Sequence, residues 1–334
     1  IQVRDQIKSG KFQGPRLIAS GCGITGPEGH ARLFAKKATT PEEGRALVHE
    51  HFSNGADQIK LFITGGVFDA EVEGEPGVLR MPLDIAQAVC DEAHKLGLRT
   101  SAHIESTEGV KVGLKAGVDT IEHGAPLTDE LLKLFKKNGL GNASSLTCTL
   151  SPALPFAVLS PEKTHSTHVQ KVNGRVVYEG VATATRQALA NGIPVGLGTD
   201  SACPFVTHYD MWREVVYFQR HTGVTPEFAL HTATLKNAQL LGVANETGSI
   251  ETGKSADFIV LDVNPLDDLC ALRNVEQVYM AGKPVKYKAK HLPKIDAELD
   301  GIMDGLDNDP FVSEWNIAGE KKSLNPFAKR GAKE

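Results

Sequence analysis

Cysteine is scarce in this sequence and never occurs in a closely spaced pair. Five cysteines are spread widely over 334 residues, and no C-x-x-C motif is present. The odd number and the spacing argue against a disulfide framework and against a structural zinc knot. A reducing, cytoplasmic location is therefore expected.

Long apolar runs and a basic excess are also missing. No run of about 18 apolar residues could cross a membrane, and the opening residues, IQVRDQIKSGKF, are too polar for a signal peptide. The formal net charge is −5, and no basic stripe suggests nucleic-acid binding. The composition favours a small-molecule or peptide partner, with no nucleic acid and no membrane.

Short apolar runs alternate with helical segments over the first 200 residues. This alternation is typical of βα units in a parallel sheet, so the sequence predicts an α/β fold. The first helix has strong end signals, because Thr40-Pro41 precedes a capping-box Glu43 and Asn54-Gly55 closes the segment. The predicted strands are 16–20, 58–64, 98–104, 118–122, 142–149 and 193–199.

The predicted organisation changes after the fifth of these strands. Residues 152–180 predict a long irregular insertion, where α/β folds carry substrate loops. From Gly248, two β segments joined by turns indicate a small appended β unit. A tail with an acidic cluster and a lysine-rich end follows. The predicted parts are 1–247, 248–290 and 291–334.

Three predicted strands end in a side chain that can bind a metal ion. His103 lies in TSAHIES, His123 in DTIEHG and Asp200 in GLGTDSA. Catalytic residues gather at the carboxyl ends of parallel strands. One such histidine alone is more often a satisfied core residue, but three at equivalent positions of successive units weaken that explanation.

Lys60 lies in the apolar run QIKLFITGG. Burying an ammonium group in a strand is costly unless the group is paired or its charge is changed. An acidic partner could neutralise Lys60, or carboxylation by carbon dioxide could turn the amine into an anionic oxygen ligand. Both explanations stay open on the sequence alone.

The remaining histidines differ in their surroundings. His49 and His51 have H-x-H spacing but lie in a predicted helix, where residues two apart point about 200° apart and cannot share one ion. His165 and His168, three apart within 152–180, are compatible with a surface metal site or with no site.

Three further residues are candidates for substrate contact. His30 and His208 follow strands on the predicted active edge. Glu105 lies two residues after His103, so on a strand it could share the same face and touch substrate or metal-bound water. A solvated loop carboxylate is the alternative for Glu105.

At these residues the chain resembles the amidohydrolase superfamily of metal-dependent hydrolases, in its imidazolonepropionase-like and Xaa-Pro dipeptidase-like branch. The resemblance implies a (β/α)8 TIM-like barrel with a β-sandwich of chain-terminal segments, of which the segment from Gly248 would be the closing half. The likeness covers most of residues 1–290, in the motifs GPRLIASG, GADQIKLFITGG, AHIES, AGVDTIEHG, GLGTD, ATLKNAQLLG and GSIETGKSADFIVLD.

The resemblance also implies roles for single residues. Lys60 would be the carboxylated lysine, His103 and His123 further metal ligands, and Asp200 a ligand that also moves the proton of the attacking water. The family's H-x-H pair precedes the segment that resembles GPRLIASG, and too few residues lie there to contain it. The first two barrel strands are therefore expected to be missing from this chain, and one zinc ion is expected rather than two.

The leading hypothesis is a metal-dependent hydrolase that cleaves an amide or peptide C–N bond, with a dipeptide such as Xaa-Pro or an N-acyl amino acid as substrate. A deaminase or cyclic-amide hydrolase on the same barrel is the alternative, because a fold alone does not choose a reaction. An inactive remnant or scaffold is a further alternative. Open sheet edges need covering, and a homo-oligomer is expected.

Overall fold

The computed structural model describes residues 1–135, 144–286, 288–309 and 311–312. The chain divides into two compact units. The first unit is Ile1–Cys148 with Ser160–Val195, and the second unit is Thr149–Leu159 with Gly196–Glu334.

Helices and strands alternate along the first 200 residues, as predicted. In chain order they are α1 (Gln2–Lys8), β1 (Gly23–Thr25), β2 (Ala35–Lys37), α2 (Pro41–Ser53), β3 (Gln58–Phe62), α3 (Leu83–Lys95), β4 (Arg99–Ile104), α4 (Thr107–Ala116), β5 (Thr120–His123), α5 (Asp129–Leu134), β6 (Ser145–Cys148), α6 (Leu154–Val158), α7 (Pro161–Thr164), α8 (His168–Ala190) and β7 (Val195–Leu197).

The later part of the described chain is helical first and then β. It holds α9 (Met211–Thr222), α10 (Pro226–His231), a π-helical turn (Thr232–Lys236), α11 (Asn237–Leu240), β8 (Phe258–Leu261), a 3-10 turn (Leu269–Arg273), β9 (Val275–Met280), β10 (Lys283–Pro284), α12 (Pro293–Gly305) and a second 3-10 turn (Leu306–Asn308).

Seven strands form one sheet in the order β2-β1-β3-β4-β5-β6-β7. The pairs from β2 through β6 are parallel, which confirms the predicted α/β fold. A closed eight-stranded barrel stays a prediction.

One face of the first unit's sheet packs against helices. Ile104 at the end of β4 is fully buried. It faces α4, where a Cβ on Gly113 would lie only 2.7 Å from the Ile104 Cδ1 atom. Since side chains alternate along a strand, His103 points to the opposite face.

Two sequence predictions are wrong. Residues 16–20 form no strand: the Ala19 N–H donates to the Asp57 carboxylate and the Ala19 carbonyl accepts from the Asp57 N–H, while Arg16 and Leu17 are exposed. The sheet instead begins with the three-residue strands β1 (GIT) and β2 (AKK), which contain no extended apolar run.

The predicted irregular insertion at 152–180 is also wrong, because it is largely helical. α6 lies there in the second unit, and α7 and the first half of α8 lie there in the first unit. A capping box starts α8: the Gln170 N–H donates to the Thr167 hydroxyl at 3.2 Å, and the Thr167 N–H donates to the Gln170 side chain at 3.0 Å.

The second unit contains the predicted small β unit as an antiparallel three-stranded sheet, β10-β9-β8. The larger β-sandwich and the domain limits at 248 and 291 stay predictions. The predicted tail holds α12, and most of its lysine-rich end lies outside the described residues. Over the described ranges, none of the helices has the length and hydropathy needed to cross a membrane.

Candidate metal centre

His103 is the buried centre of the site. It lies on β4, in register with Phe62 of β3, and only 6% of its surface is exposed. The His103 and Phe62 rings are 5.9 Å apart. The pleat therefore directs His103 away from the helix layer that receives Ile104.

His123 reaches His103 because of its backbone conformation. It ends β5 in register with Ile104, so regular alternation would turn its side chain toward the face of Ile104. Its φ angle is 70°, a left-handed value that is uncommon for a residue other than glycine. The His123 ring lies 4.8 Å from the His103 ring in an edge-to-face arrangement.

Glu105 completes a group of three possible metal ligands. One donor atom each from His103, Glu105 and His123 lies within 4.8 Å of the other two. Glu105 is half-buried, and its Oε2 atom accepts a hydrogen bond from the Val67 N–H at 3.2 Å. Glu105 therefore has burial and a backbone hydrogen bond that a fully solvated loop carboxylate would lack.

The hydrogen bonding of His103 prepares it to bind a metal. Its Nε2 atom lies 3.0 Å from the Gly65 carbonyl, which can only accept, so Nε2 carries the proton and Nδ1 keeps the lone pair. Burial lowers the pKa of His103 well below its ordinary value, and the electrostatic influence of His123, His30 and Lys60 lowers it further. A neutral imidazole bonded to a carbonyl through its other nitrogen is the usual form of a metal-binding histidine.

His30 and Asp69 form a pair against this centre. The rings of His30 and His103 stack, with centroids 4.4 Å apart and planes 4° from parallel. The His30 Nδ1 atom lies 2.9 Å from the Asp69 carboxylate, and the Gly66 N–H donates to the same carboxylate at 2.7 Å. Burial opposes ionisation of Asp69, but these two hydrogen bonds keep its pKa below the ordinary value.

The loop after β3 therefore supplies functional residues that sequence reasoning missed. Asp69 is bonded to His30, and the Gly65 carbonyl is bonded to His103. Gly66 packs closely against the site, since a Cβ on it would lie 3.1 Å from Glu105 Oε2 and 3.2 Å from His103 Nε2. The Gly-Gly pair in QIKLFITGG was the available signal for this close approach.

Lys60 lies on β3 in register with Ser101 and is half-buried. Its ammonium lies 5.6 Å from the centroid of the Phe62 ring, on the face of the sheet that His103 also uses. No carboxylate partner of Lys60 occurs among the described residues. Its role as a metal ligand stays a prediction.

Asp200 and His208 belong to the second unit. Asp200 is exposed in a left-handed conformation, with φ 53°, and its carboxylate accepts a hydrogen bond from the Cys203 thiol at 3.3 Å. His208 is exposed, with its ring 5.2 Å from that of Tyr209. The predicted roles of Asp200 and His208 stay predictions.

The other histidine pairs lie elsewhere. His49 and His51 are both on α2, as predicted, with His49 bonded to Glu92 at 2.8 Å and His51 buried. His165 ends α7, and His168 lies 3.4 Å from Glu73. Within the described ranges, the group His103, Glu105 and His123 alone brings three such metal-binding side chains together.

Comparison with known proteins decides the family. The model of the amidohydrolase family matches residues 2–285. The chain belongs to the amidohydrolase family. A solved structure of a proposed prolidase from Bifidobacterium longum is 43% identical, with a TM-score of 0.84, over 90% of this chain and 74% of that one. A solved Xaa-Pro dipeptidase with methionine bound in its active site is 30% identical, with a TM-score of 0.75, over 86% of this chain and 72% of that one.

Curated members of the amidohydrolase family are longer than this chain. Ochratoxinase of Aspergillus niger is 25% identical over 314 residues, which are 85% of this chain and 63% of that protein. Imidazolonepropionase of Streptococcus sanguinis is 26% identical over 242 residues, 70% of this chain and 48% of that protein. The family match confirms the resemblance predicted from the motifs, and the prolidase-like structures support a hydrolytic enzyme.

The residues fit the metal dependence of this family. Two imidazoles and one carboxylate are a donor set of catalytic zinc sites, which keep a fourth position for water or substrate. Ligand atoms about 2.1 Å from a tetrahedral ion lie about 3.4 Å apart. The present donors, all within 4.8 Å of one another, could approach that spacing through small side-chain rotations.

Proposed function

We propose that this amidohydrolase cleaves the amide or peptide C–N bond of a small substrate, either a dipeptide such as Xaa-Pro or an N-acyl amino acid. The proposal rests on the convergence of His103, Glu105 and His123 at the carboxyl ends of β4 and β5. The dipeptide is favoured by the likeness to a proposed prolidase and to a Xaa-Pro dipeptidase whose active site holds methionine, an amino acid.

Zinc is the proposed ion, one per chain, held by His103, His123 and Glu105. When bound, it would lower the pKa of a water molecule and polarise the scissile carbonyl. A carboxylated Lys60 and Asp200 are proposed as alternative oxygen ligands to Glu105, so that the fourth position stays available to water.

The chain's own side chains would position substrate and carry protons. Because the Nδ1 atom of His30 is bonded to Asp69, its Nε2 atom is the ring nitrogen proposed to contact substrate. Asp200 is proposed to take a proton from the attacking water and return it to the leaving amine. His208 is proposed to contact substrate.

A cyclic-amide hydrolase or deaminase is the second candidate, and the likeness to imidazolonepropionase favours it. The three reactions differ in their products. Hydrolysis of a dipeptide gives two amino acids, hydrolysis of a cyclic amide gives one ring-opened acid, and deamination releases ammonia. An inactive scaffold would give none of these.

The test combines metal content with a substrate panel. Protein stripped with a chelator and reloaded with zinc is assayed on Xaa-Pro dipeptides, N-acyl amino acids and cyclic amides, with Asp200→Asn beside the wild type. We expect about one zinc per chain and dipeptide hydrolysis that Asp200→Asn lowers by at least about 100-fold. Less than roughly a tenth of an equivalent of metal, or equal activity of Asp200→Asn, would contradict the proposal.

A cytoplasmic location and a homo-oligomer are further proposals. Light scattering would test the oligomeric state.

A further inference from the structure

The first unit contains a cavity of about 460 Å³ beside the candidate metal centre. That volume lies within the roughly 300–1,000 Å³ range of small-molecule sites. The loop after β3, the start of α4, the loop after β5 and α8 enclose the space. Its apolar walls come mainly from Val78, Leu79, Ala125, Pro126, Val176 and Val177.

Glu105 joins the cavity to the metal centre. It lines the cavity and also contributes a donor atom to the group with His103 and His123. A substrate whose scissile bond lies at these donors would therefore have an adjoining substituent at the mouth of the cavity. The predominantly apolar walls favour a substituent without charge.

The charges at the cavity oppose an acidic substituent. Besides Glu105, the exposed side chains of Glu75 and Glu108 line it, and the described lining residues include no lysine, arginine or histidine. The start of α4 offers about half a positive charge, less than the two carboxylates. Exposure and salt screening keep this discrimination modest.

Gly180 lines the cavity and leaves space there because it has no side chain. It lies on α8 facing the β5 loop, and a Cβ built on it would meet Pro126 Cδ at 3.6 Å and Ala125 Cα at 3.9 Å, which are ordinary contacts. A methyl group therefore fits, but a longer side chain at this position would occupy the cavity.

The wall that carries Gly180 is firmly held. Asn173 of α8 is fully buried; it donates to the Val72 carbonyl at 2.9 Å and accepts from the Gly74 N–H at 2.8 Å. These bonds fix α8 to the loop after β3, on the opposite side of the cavity. The walls are thus formed by elements tied directly to each other.

We propose that this cavity is a specificity pocket that receives an uncharged apolar side chain next to the scissile bond, with Gly180 and Val176 as specificity-determining residues. The proposal rests on the amide hydrolysis proposed above. It predicts that leucine-containing or phenylalanine-containing substrates are preferred over those with glycine, and that glutamate is disfavoured.

The kinetic test uses two series of dipeptides. Gly-Pro, Leu-Pro, Phe-Pro and Glu-Pro vary the acyl-side residue, whereas Gly-Gly, Gly-Leu and Gly-Phe vary the amine-side residue. These two series tell whether the acyl-side or the amine-side residue enters the pocket. In Gly180→Leu, the ratio of kcat/KM for the apolar substrate to that for its glycine counterpart should fall at least about tenfold, the usual value of a lost apolar contact. Gly180→Ala should give a smaller fall. Gly301→Leu is the matched control, because a Cβ at Gly301, on α12, meets no atom within 4 Å.

A second variant and a binding measurement separate the possible failures. Val176→Phe, at a partly exposed position of the same wall, should also lower the ratio and covers the case in which Gly180→Leu does not fold. Calorimetric titration of metal-free protein with leucine and glycine should show tighter binding of leucine, weakened about tenfold in either variant. Unchanged ratios, or equal binding of leucine and glycine, would overturn the pocket. Absence of hydrolysis with selective leucine binding would overturn the proposed reaction and support the pocket.

Discussion

His123 depends on a backbone conformation that few side chains tolerate. Its φ of 70° turns the imidazole from the face of Ile104 toward His103. A left-handed conformation at a residue that is not glycine costs about 1–3 kcal/mol and persists where the surrounding structure enforces it. The position of this strain at the candidate ligands is consistent with a functional role for His123.

Replacement of His123 tests that role. His123→Ala should weaken zinc binding by more than about 100-fold, since even a hydrogen-bond partner of a ligand contributes about 10–100-fold. Metal content after dialysis against a chelator is the measurement. His49→Ala, an exposed histidine on α2, is the matched control and should keep its zinc. Equal zinc content in the two variants would contradict the assignment, provided that circular dichroism shows both to be folded.

Gly66 gives a second test, by adding one methyl group. In Gly66→Ala the new Cβ would lie 3.1 Å from Glu105 Oε2 and from His30 Cε1. These atoms must shift, so we expect zinc affinity to fall about tenfold and the free energy of unfolding to fall by about 1–3 kcal/mol. Calorimetry with zinc and urea unfolding are the measurements. Gly301→Ala is the control, and an equal effect at both sites would rule out a specific steric role for Gly66.

Sequence reasoning singled out the three residues that the structure brings together. His103 and His123 lie at the ends of β4 and β5, and Glu105 lies just beyond the end of β4. It missed Asp69, because the contact with His30 joins residues 39 positions apart and depends on the path of a loop. Periodicity carries information about neighbours within one element and little about where a loop returns.

α8 supplies one wall of the cavity, and its start depends on the capping box of Thr167 and Gln170. Thr167→Ala should lower the free energy of unfolding by about 1 kcal/mol, because it removes the acceptor for an otherwise unpaired helix N–H. Urea unfolding measures the change, and hydrogen exchange at 168–171 locates it.

The adjacent His168→Ala is the matched control for this cap. His168 is exposed, and its contact with Glu73 is a surface pair, worth about 0–1 kcal/mol. A loss at Thr167→Ala no larger than that at His168→Ala, without faster exchange at 168–171, would count against the cap.

The irregular insertion predicted at 152–180 shows why helices can escape sequence analysis. Pro155 and Pro161 interrupt the hydrophobic period, yet both stand in the first turn of a short helix, where proline is tolerated. The Thr167-x-x-Gln170 capping signal was present in the sequence. In this segment both prolines mark helix starts.

The fold as a whole followed from the alternation of apolar runs and capped helices. The strands β3 to β6 were predicted to within three residues at each end, because each combines buried apolar positions with a nearby helix start. The strands β1 and β2 were not, since β1 is a GIT segment followed by another glycine and β2 is mostly lysine, so neither forms an apolar run in the sequence. Closure of a barrel depends on long-range pairing, which a single sequence does not encode in any local pattern.

Zinc-dependent hydrogen exchange tests the proposed ligands of each unit separately. A ligand that binds only the folded protein stabilises it by about 2.7 kcal/mol at 100 times its dissociation constant. Zinc should therefore slow exchange in peptides that span β4 and β5 of the first unit. It should also slow exchange in the second-unit peptide containing Asp200, if the proposed coordination by that carboxylate is right, and Asp200→Asn should lose that second effect. No protection at β4 and β5 would refute the metal centre; protection there without any at Asp200 would remove Asp200 from the proposed ligands.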